Sequence, residues 1–161
     1  FQILEDTLMG DFLWQWDASE RKKSRGKFYF FDTGVVRALQ NRLSDLPTGQ
    51  ELGLLFETWF VREMVRLRDY EKPYLELSFW RERDHEVDLL FSRGEKRPLA
   101  LEIKSGLDQE IPQSTLQRFK AKFPDTKLVI ALRLAERPRL SKNGVEILPW
   151  QEAFKLVEAE L

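Results

Sequence analysis

The sequence contains no cysteine and a single histidine, His85, and these two scarcities exclude several kinds of site. Without cysteine there is no disulfide framework and no zinc site with thiolate ligands. One imidazole cannot supply a zinc site built from several histidines, and it restricts a Ser-His-Asp centre to the surroundings of His85. The chemistry of this chain therefore has to come from its other polar side chains.

Long apolar runs and an excess of charge are also missing. No run approaches the ~18 residues of a transmembrane helix, and the N-terminus has no signal-peptide pattern. We therefore expect a cytoplasmic protein without a membrane partner. The 26 basic and 27 acidic residues nearly cancel, so only a local cluster of charge can indicate nucleic acid. The chain begins at Phe1 instead of Met, which indicates a piece of a longer protein.

What is present is a globular chain that divides near residue 45. Its 161 residues are 42% hydrophobic and 12% aromatic, enough to bury one core and too apolar for a disordered chain. Residues 44–50, with Pro47 and Gly49, are typical of a linker. We predict an N-terminal appendage over residues 1–45 and a main domain over residues 46–161.

The hydrophobic pattern predicts a mixed order of helices and strands. Residues 1–8 are predicted to be the end of a helix. Further predicted helices lie at residues 32–43, 51–70, 112–123 and 150–161. Predicted strands lie at residues 12–16, 28–31, 73–80, 86–92, 99–104, 127–132 and 145–148. Such alternation predicts an α/β fold with a mixed sheet flanked by helices.

A basic segment connects the two aromatic strands of the appendage. Five of the seven residues from 21 to 27 are Arg or Lys. The pattern predicts a β-hairpin whose loop contacts a phosphate backbone, or else an ordinary solvated loop. The residues that we assign to nucleic-acid binding are Arg21, Lys22, Lys23 and Arg25.

One carboxylate lies on the apolar side of the long predicted helix. At 100° per residue, Glu57 falls within the arc formed by Phe56, Phe60, Val61 and Met64. A carboxylate in this position needs a partner within the protein, or its stem packs while its head reaches solvent. The sequence leaves both alternatives open.

Two neighbouring strands each place an acid among apolar residues. Strict alternation puts Val87, Leu89 and Phe91 on one face and Glu86, Asp88 and Leu90 on the other. In the next strand it puts Glu102 on the face opposite Leu101 and Ile103. The acids of the two strands are therefore expected to share a face, as in a hairpin turning near Gly94.

The sequence Glu102-Ile103-Lys104 adds a lysine beside the second acid. Converging carboxylates are ligands for Mg²⁺ or Mn²⁺, and a lysine beside the metal orients an attacking water or stabilises charge at phosphorus. Other acid-x-Lys triplets occur in the chain, but only this one lies inside an apolar strand. The alternative is a half-exposed strand pair with a surface ion pair.

These segments resemble a known family. The segments 53–57, 79–81 with 86–90, and 100–106 are similar to the C-terminal domain of unknown function found behind the ATPase core of many prokaryotic AAA+ ATPases. That domain resembles the PD-(D/E)XK nuclease superfamily, which has a restriction-endonuclease-like fold. Residues 1–31 resemble the end of a winged-helix unit with its wing.

The resemblance implies roles for particular residues. Glu57, Asp88, Glu102 and Lys104 would be catalytic, and Asp88, Glu102 and the Ile103 carbonyl would hold Mg²⁺ or Mn²⁺. The implied partners are nucleic acid, with DNA expected first, and an ATPase domain in the same parent chain. A phosphate-binding loop is absent from the sequence, so the motor would lie upstream.

Three functions remain open at this point. The first is a metal-dependent nuclease, the second is an inactive module that binds nucleic acid or protein and regulates the ATPase, and the third is a purely structural domain. The sequence also departs from the family pattern at Asp84-His85, where a small residue is usual. His85 is either a turn residue or a contact to substrate.

Overall fold

The computed structural model describes residues 2–16 and 26–161. The predicted nucleic-acid contacts Arg21, Lys22, Lys23 and Arg25 lie outside the described residues. The helices are α1 (Gln2–Asp6), α2 (Thr33–Leu39), α3 (Gly49–Glu71), α4 (Gln113–Lys122) and α5 (Trp150–Glu160). The strands are β1 (Gly10–Gln15), β2 (Lys27–Phe30), β3 (Glu76–Glu82), β4 (His85–Arg93), β5 (Lys96–Lys104), β6 (Lys127–Leu132), β7 (Arg139–Leu140) and β8 (Glu146–Pro149).

All the described strands belong to one mixed sheet in the order β2-β1-β3-β4-β5-β6-β8-β7. The neighbours β3, β4 and β5 are antiparallel, whereas β6 is parallel to both β5 and β8. The mixed α/β class predicted from the sequence is therefore confirmed. None of the helices in the described ranges has the length and apolarity needed to cross a membrane.

The N-terminal hairpin joins this sheet through a short ladder. β1 is antiparallel to β2 and parallel to β3, and it pairs with β3 at only two positions, Trp14 with Ser78 and Gln15 with Phe79. The arrangement brings β2 against α3, because Tyr29 of β2 is buried in the same apolar cluster as the inner face of that helix. The hairpin is thus placed to meet residues of α3.

The two faces of the sheet are covered by different helices. α3 and α5 pack on the face that carries Leu89 and Leu101, and α4 packs on the face that carries Leu90 and Ala100. These assignments follow the predicted alternation along β4 and β5. The sheet is therefore the middle layer between two apolar clusters, and the ends of its strands are where polar side chains collect.

Val87 is an exception to the alternation, and its predicted face was wrong. It packs in the cluster of Leu90 and not with Leu89 and Phe91. The pairing of β3 with β4 shifts register between Ser78 and Trp80, which leaves an unmatched residue in β4. An extra residue in one strand bends it and redirects the neighbouring side chains. This irregularity lies beside Asp88.

Helix ends follow local capping rules. The Thr48 hydroxyl and the Glu51 side chain form a reciprocal capping box at the start of α3. Asp32 caps α2 by accepting from the N–H groups of Gly34 and Val35. That helix ends at Leu39, earlier than predicted, and Asn41 just beyond it has a left-handed φ of 54°. Such a residue stops a helix.

Candidate functional site

Lys27 of β2 lies among carboxylates that come from two other elements. Its Nζ is 3.1 Å from Glu57 Oε1 on α3 and 3.6 Å from Asp88 Oδ1 on β4. The same nitrogen forms an ion pair with Glu86, also on β4. One ammonium group therefore gathers three acids, and Glu57 and Asp88 become close neighbours through it.

Tyr29 supports this arrangement from the next position on the same side of β2. Its hydroxyl donates to Glu57 Oε1 at 2.6 Å, and the side chain is only 6% exposed. Burial, followed by the charge and the hydrogen bond of Glu57, raises the pKa of Tyr29 above its ordinary value. The phenol therefore stays protonated and donates. Of the two alternatives for Glu57, the structure shows the one with partners inside the protein.

Asp88 ties the ends of β4 and β5 together. Its side chain is 7% exposed, and its Oδ2 accepts the N–H of Ile103 at 2.8 Å. The pair Leu89–Leu101 adjoins this contact in the ladder. Burial raises the pKa of Asp88 well above its usual range, and the charges of Glu102 and Glu57 add to this. The second oxygen of the carboxylate faces Lys27.

Glu102 and Lys104 form a pair at the end of β5. Lys104 Nζ lies 2.6 Å from Glu102 Oε1, and Glu102 is 5% exposed. Burial raises the pKa of Glu102, although Lys104 opposes the effect. Burial alone would lower the pKa of Lys104, but Glu102 raises it above its ordinary value. Glu102 Oε2 is buried and has no hydrogen-bond partner among the described residues.

The donor set is suited to a hard cation. Asp88 and Glu102 present carboxylate oxygens from adjacent strands, and the unpartnered Glu102 Oε2 is an acceptor that still needs a donor or a cation. In residues 2–16 and 26–161, no group of three or more His, Asp or Glu side chains is already arranged to hold a metal ion. The positive charge beside Glu57, Glu86 and Asp88 is instead the ammonium of Lys27.

The close approach of α3 to the end of β5 places Glu57 near the other acids. Gly53, one helical turn before Glu57, faces Ser105 at the end of β5, and a Cβ at this glycine would lie 3.4 Å from the Ser105 hydroxyl. The loop after β5 is held by the Gln109 side chain, which accepts from the N–H groups of Ser105 and Gly106. The helix therefore packs directly over the strand end.

Sequence reasoning missed Lys27 and Tyr29 as members of this cluster, and it placed Glu86 on the face of Asp88 without giving it a role. Lys27 was included in the basic connection, whereas it begins β2. A signal was available, because a lysine and a tyrosine two positions apart share one side of a strand. Glu86 stands two positions before Asp88, and in the structure it also forms an ion pair with Arg81.

His85 interacts with a different part of the protein from these carboxylates. It begins β4, and its Nδ1 is 2.8 Å from the Thr115 hydroxyl on α4. This contact links the start of the strand to the helix on the other face of the sheet. The structure thus gives His85 a hydrogen-bond partner on α4.

Comparison with known proteins gave one family match. Residues 52–153, more than half of the chain, match the family described as Domain of unknown function (DUF4143). No curated protein and no solved structure matches the chain. The matched range contains Glu57, Asp88, Glu102 and Lys104, whereas Lys27 and Tyr29 precede it.

Proposed function

The chain belongs to the DUF4143 family of domains of unknown function, and we propose that it is a Mg²⁺-dependent nuclease domain. The proposed reaction is hydrolysis of phosphodiester bonds in nucleic acid, with DNA as the first substrate to test. The observation that carries this proposal is the placement of two buried carboxylates, Asp88 and Glu102, on adjacent strands directly beside the pair Leu89–Leu101, with Lys104 bound to Glu102. Buried charges in such a cluster reduce stability unless a cation compensates them, which is typical of functional sites.

Each residue has a proposed role. Asp88, Glu102 and the Ile103 carbonyl hold Mg²⁺ or Mn²⁺. When bound, the ion supplies Lewis-acid stabilisation and a water with a lowered pKa. Lys104, held by Glu102, donates hydrogen bonds to the attacking water or to a phosphoryl oxygen. Glu57, fixed by Tyr29, completes the acidic wall of the site.

The wider setting is also part of the proposal. The order of β3 to β6, antiparallel and then parallel, with α3 and α4 on opposite faces, supports a restriction-endonuclease-like core. We propose residues 1–45 as the end of a winged-helix unit followed by a linker, and we propose that the domain belongs to a cytoplasmic AAA+ ATPase. Nucleic acid would be contacted through the basic segment Arg21, Lys22, Lys23 and Arg25.

A second candidate function is supported by Lys27. Its ammonium already neutralises part of the charge of Glu57, Glu86 and Asp88, and the net charge of the chain is −1. Both features fit a catalytically inactive module that binds nucleic acid or a partner protein and regulates the ATPase. This module would have the same fold and would not need a metal ion.

A cleavage assay separates the two functions. Single-stranded, duplex and branched DNA and RNA are incubated with the full chain and Mg²⁺ or Mn²⁺, and Asp88→Asn and Lys104→Ala are compared with wild type. We expect each variant to lose about 100-fold or more in turnover while binding nucleic acid as before, because metal and lysine act on charge in the transition state. Lys155→Ala, at an exposed position of α5, is the matched control.

Two results would contradict the nuclease. Equal cleavage by Asp88→Asn and wild type would assign the activity to another site or to a contaminant. Absence of cleavage on every substrate, together with no heat of Mg²⁺ or Mn²⁺ binding in calorimetry, would favour the inactive module.

A further inference from the structure

Lys27 reaches the carboxylates from outside the matched family region. It belongs to β2, whereas Glu57 lies on α3 and Glu86 and Asp88 lie on β4. The distances of its nitrogen from Glu57 and Asp88, 3.1 Å and 3.6 Å, place the ammonium between helix and sheet. The hairpin thus inserts its own cation among the acids of the site.

The surroundings keep this ammonium charged and in place. Burial alone would lower the pKa of Lys27, but Glu57, Asp88 and Glu86 together raise it above its ordinary value. The ring of Phe79 lies 5.3 Å from the nitrogen and adds a cation–π contact. Tyr29 fixes Glu57 from the same strand. The lysine therefore occupies the acidic side of the cluster as a permanent positive charge.

A metal ion at Asp88 would lie beside this ammonium. Two cations within a few ångströms repel each other strongly where water is scarce, and Asp88 Oδ1 cannot serve both fully. Asp88 Oδ2 accepts the Ile103 N–H and Oδ1 pairs with Lys27, so a metal ion that binds Oδ1 takes the oxygen with which Lys27 is paired. Metal binding through Oδ1 would therefore displace Lys27 from Asp88, whereas Lys104 can stay, because its partner Glu102 Oε1 leaves Oε2 open to a metal ion.

The attachment of the hairpin permits such a withdrawal. β1 pairs with β3 at two positions, and the Trp16 N–H and the Gln15 side chain add hydrogen bonds to the carbonyls of Phe79 and Arg81. β3 and β4 pair at six positions. Segments with few ladder hydrogen bonds open at a lower free-energy cost than the core. The Tyr29–Glu57 hydrogen bond and the Lys27 ion pairs hold β2 against α3, together with the burial of Tyr29 and an ion pair between Asp11 of β1 and Arg62 of α3.

We propose that Lys27 is a tethered cation that competes with a divalent metal ion for the carboxylate site, so that the position of the β1–β2 hairpin controls metal binding. The inference rests on the proposed function, because it concerns the same site. It adds a regulatory role for a hairpin that precedes the family match. No bond is made or broken in the exchange: the ammonium leaves the carboxylates as the metal ion enters.

The test measures Mn²⁺ affinity of the full chain by electron paramagnetic resonance. Lys27→Gln should bind Mn²⁺ about tenfold more tightly than wild type or better, a change of about 1.4 kcal/mol. Lys27→Arg keeps the charge and should bind as wild type does. Lys155→Gln is the control for removal of one positive charge at an exposed position. Unchanged or weaker binding by Lys27→Gln, or no Mn²⁺ binding by any of these proteins, would overturn the proposal.

A second readout uses wild type alone, in case Lys27→Gln does not fold. Hydrogen exchange of the backbone amides of residues 27–30 should become faster when Mn²⁺ is added, because the ion pairs that hold β2 are released. Exchange that is unchanged or slower would overturn the competition. Tighter binding by Lys27→Gln without nucleic-acid cleavage would retain the competition and reject the nuclease, whereas cleavage with no effect of Lys27→Gln would do the reverse.

Discussion

Removal of the Tyr29 hydroxyl tests how much the hairpin depends on its contact with Glu57. In Tyr29→Phe the ring still fills its place in the core, where the side chain is 6% exposed. The change deletes a 2.6 Å hydrogen bond to a carboxylate that is partly buried. Hydrogen bonds to charged groups contribute about 1.5–3 kcal/mol. Glu57 keeps Lys27 as a partner, so we expect a decrease at the lower end, about 1.5 kcal/mol.

Urea denaturation provides the measurement. In thermal unfolding of a domain of this size, the same decrease in stability corresponds to a fall in Tm of about 3–6 °C. Tyr70→Phe is the matched control, because Tyr70 is 85% exposed and its variant should stay within about 0.5 kcal/mol of wild type. A double-mutant cycle of Tyr29→Phe with Glu57→Gln should show coupling above about 0.5 kcal/mol. A decrease for Tyr29→Phe no larger than that for Tyr70→Phe, or zero coupling, would refute the reasoning.

Two further predictions concern the acids and the basic segment. The pKa of Asp88 is raised in the folded state, so its ionisation reduces the stability of the fold near neutral pH, and this cost disappears as the pH falls. Asp88→Asn in metal-free protein should therefore raise the free energy of unfolding in urea at about pH 7 and should not raise it in acid. A decrease at neutral pH would contradict this. The second change replaces the basic residues Arg21, Lys22, Lys23 and Arg25 by serine. It should weaken DNA binding and lower the salt slope of binding by about one for each phosphate contact that is lost. An unchanged slope would show that these residues do not contact DNA.

Much of the fold was predictable because its elements have strong local patterns. β6 has the predicted bounds, and α3, predicted over residues 51–70, extends from Gly49 to Glu71 because the Thr48 capping box sets its start. β7 was missed because a strand of two residues has no periodic pattern, and its pairing with β8 depends on tertiary packing. Val87 was placed on the wrong face because a register shift between strands leaves no trace in alternation.

The candidate site was also predictable only in part. Helical periodicity indicates the inward position of Glu57, and the spacing of the two strands indicates that Asp88, Glu102 and Lys104 are neighbours. Alternation alone places Asp88 opposite Leu89, whereas α3 packs on the face of Leu89. In the structure Asp88 and Glu57 nevertheless both pair with Lys27, beside the register shift of β4. The position of Lys27 depends on how the hairpin crosses to α3, a long-range contact that single-strand patterns do not contain. The sequence therefore indicates the acids but not the Lys27 ammonium that pairs with them.

The two oxygens of Asp88 have different roles, and this difference has a consequence for relatives of the chain. Oδ2 accepts the Ile103 amide, a structural role that persists in a protein with no chemistry at all. An asparagine can accept that N–H through its amide oxygen, whereas this neutral oxygen compensates the charge of a divalent ion less well than a carboxylate does. Under the proposed nuclease function, relatives with asparagine at this position would keep the fold and lose cleavage. Lineages that never admit asparagine would still be under selection for the charge itself.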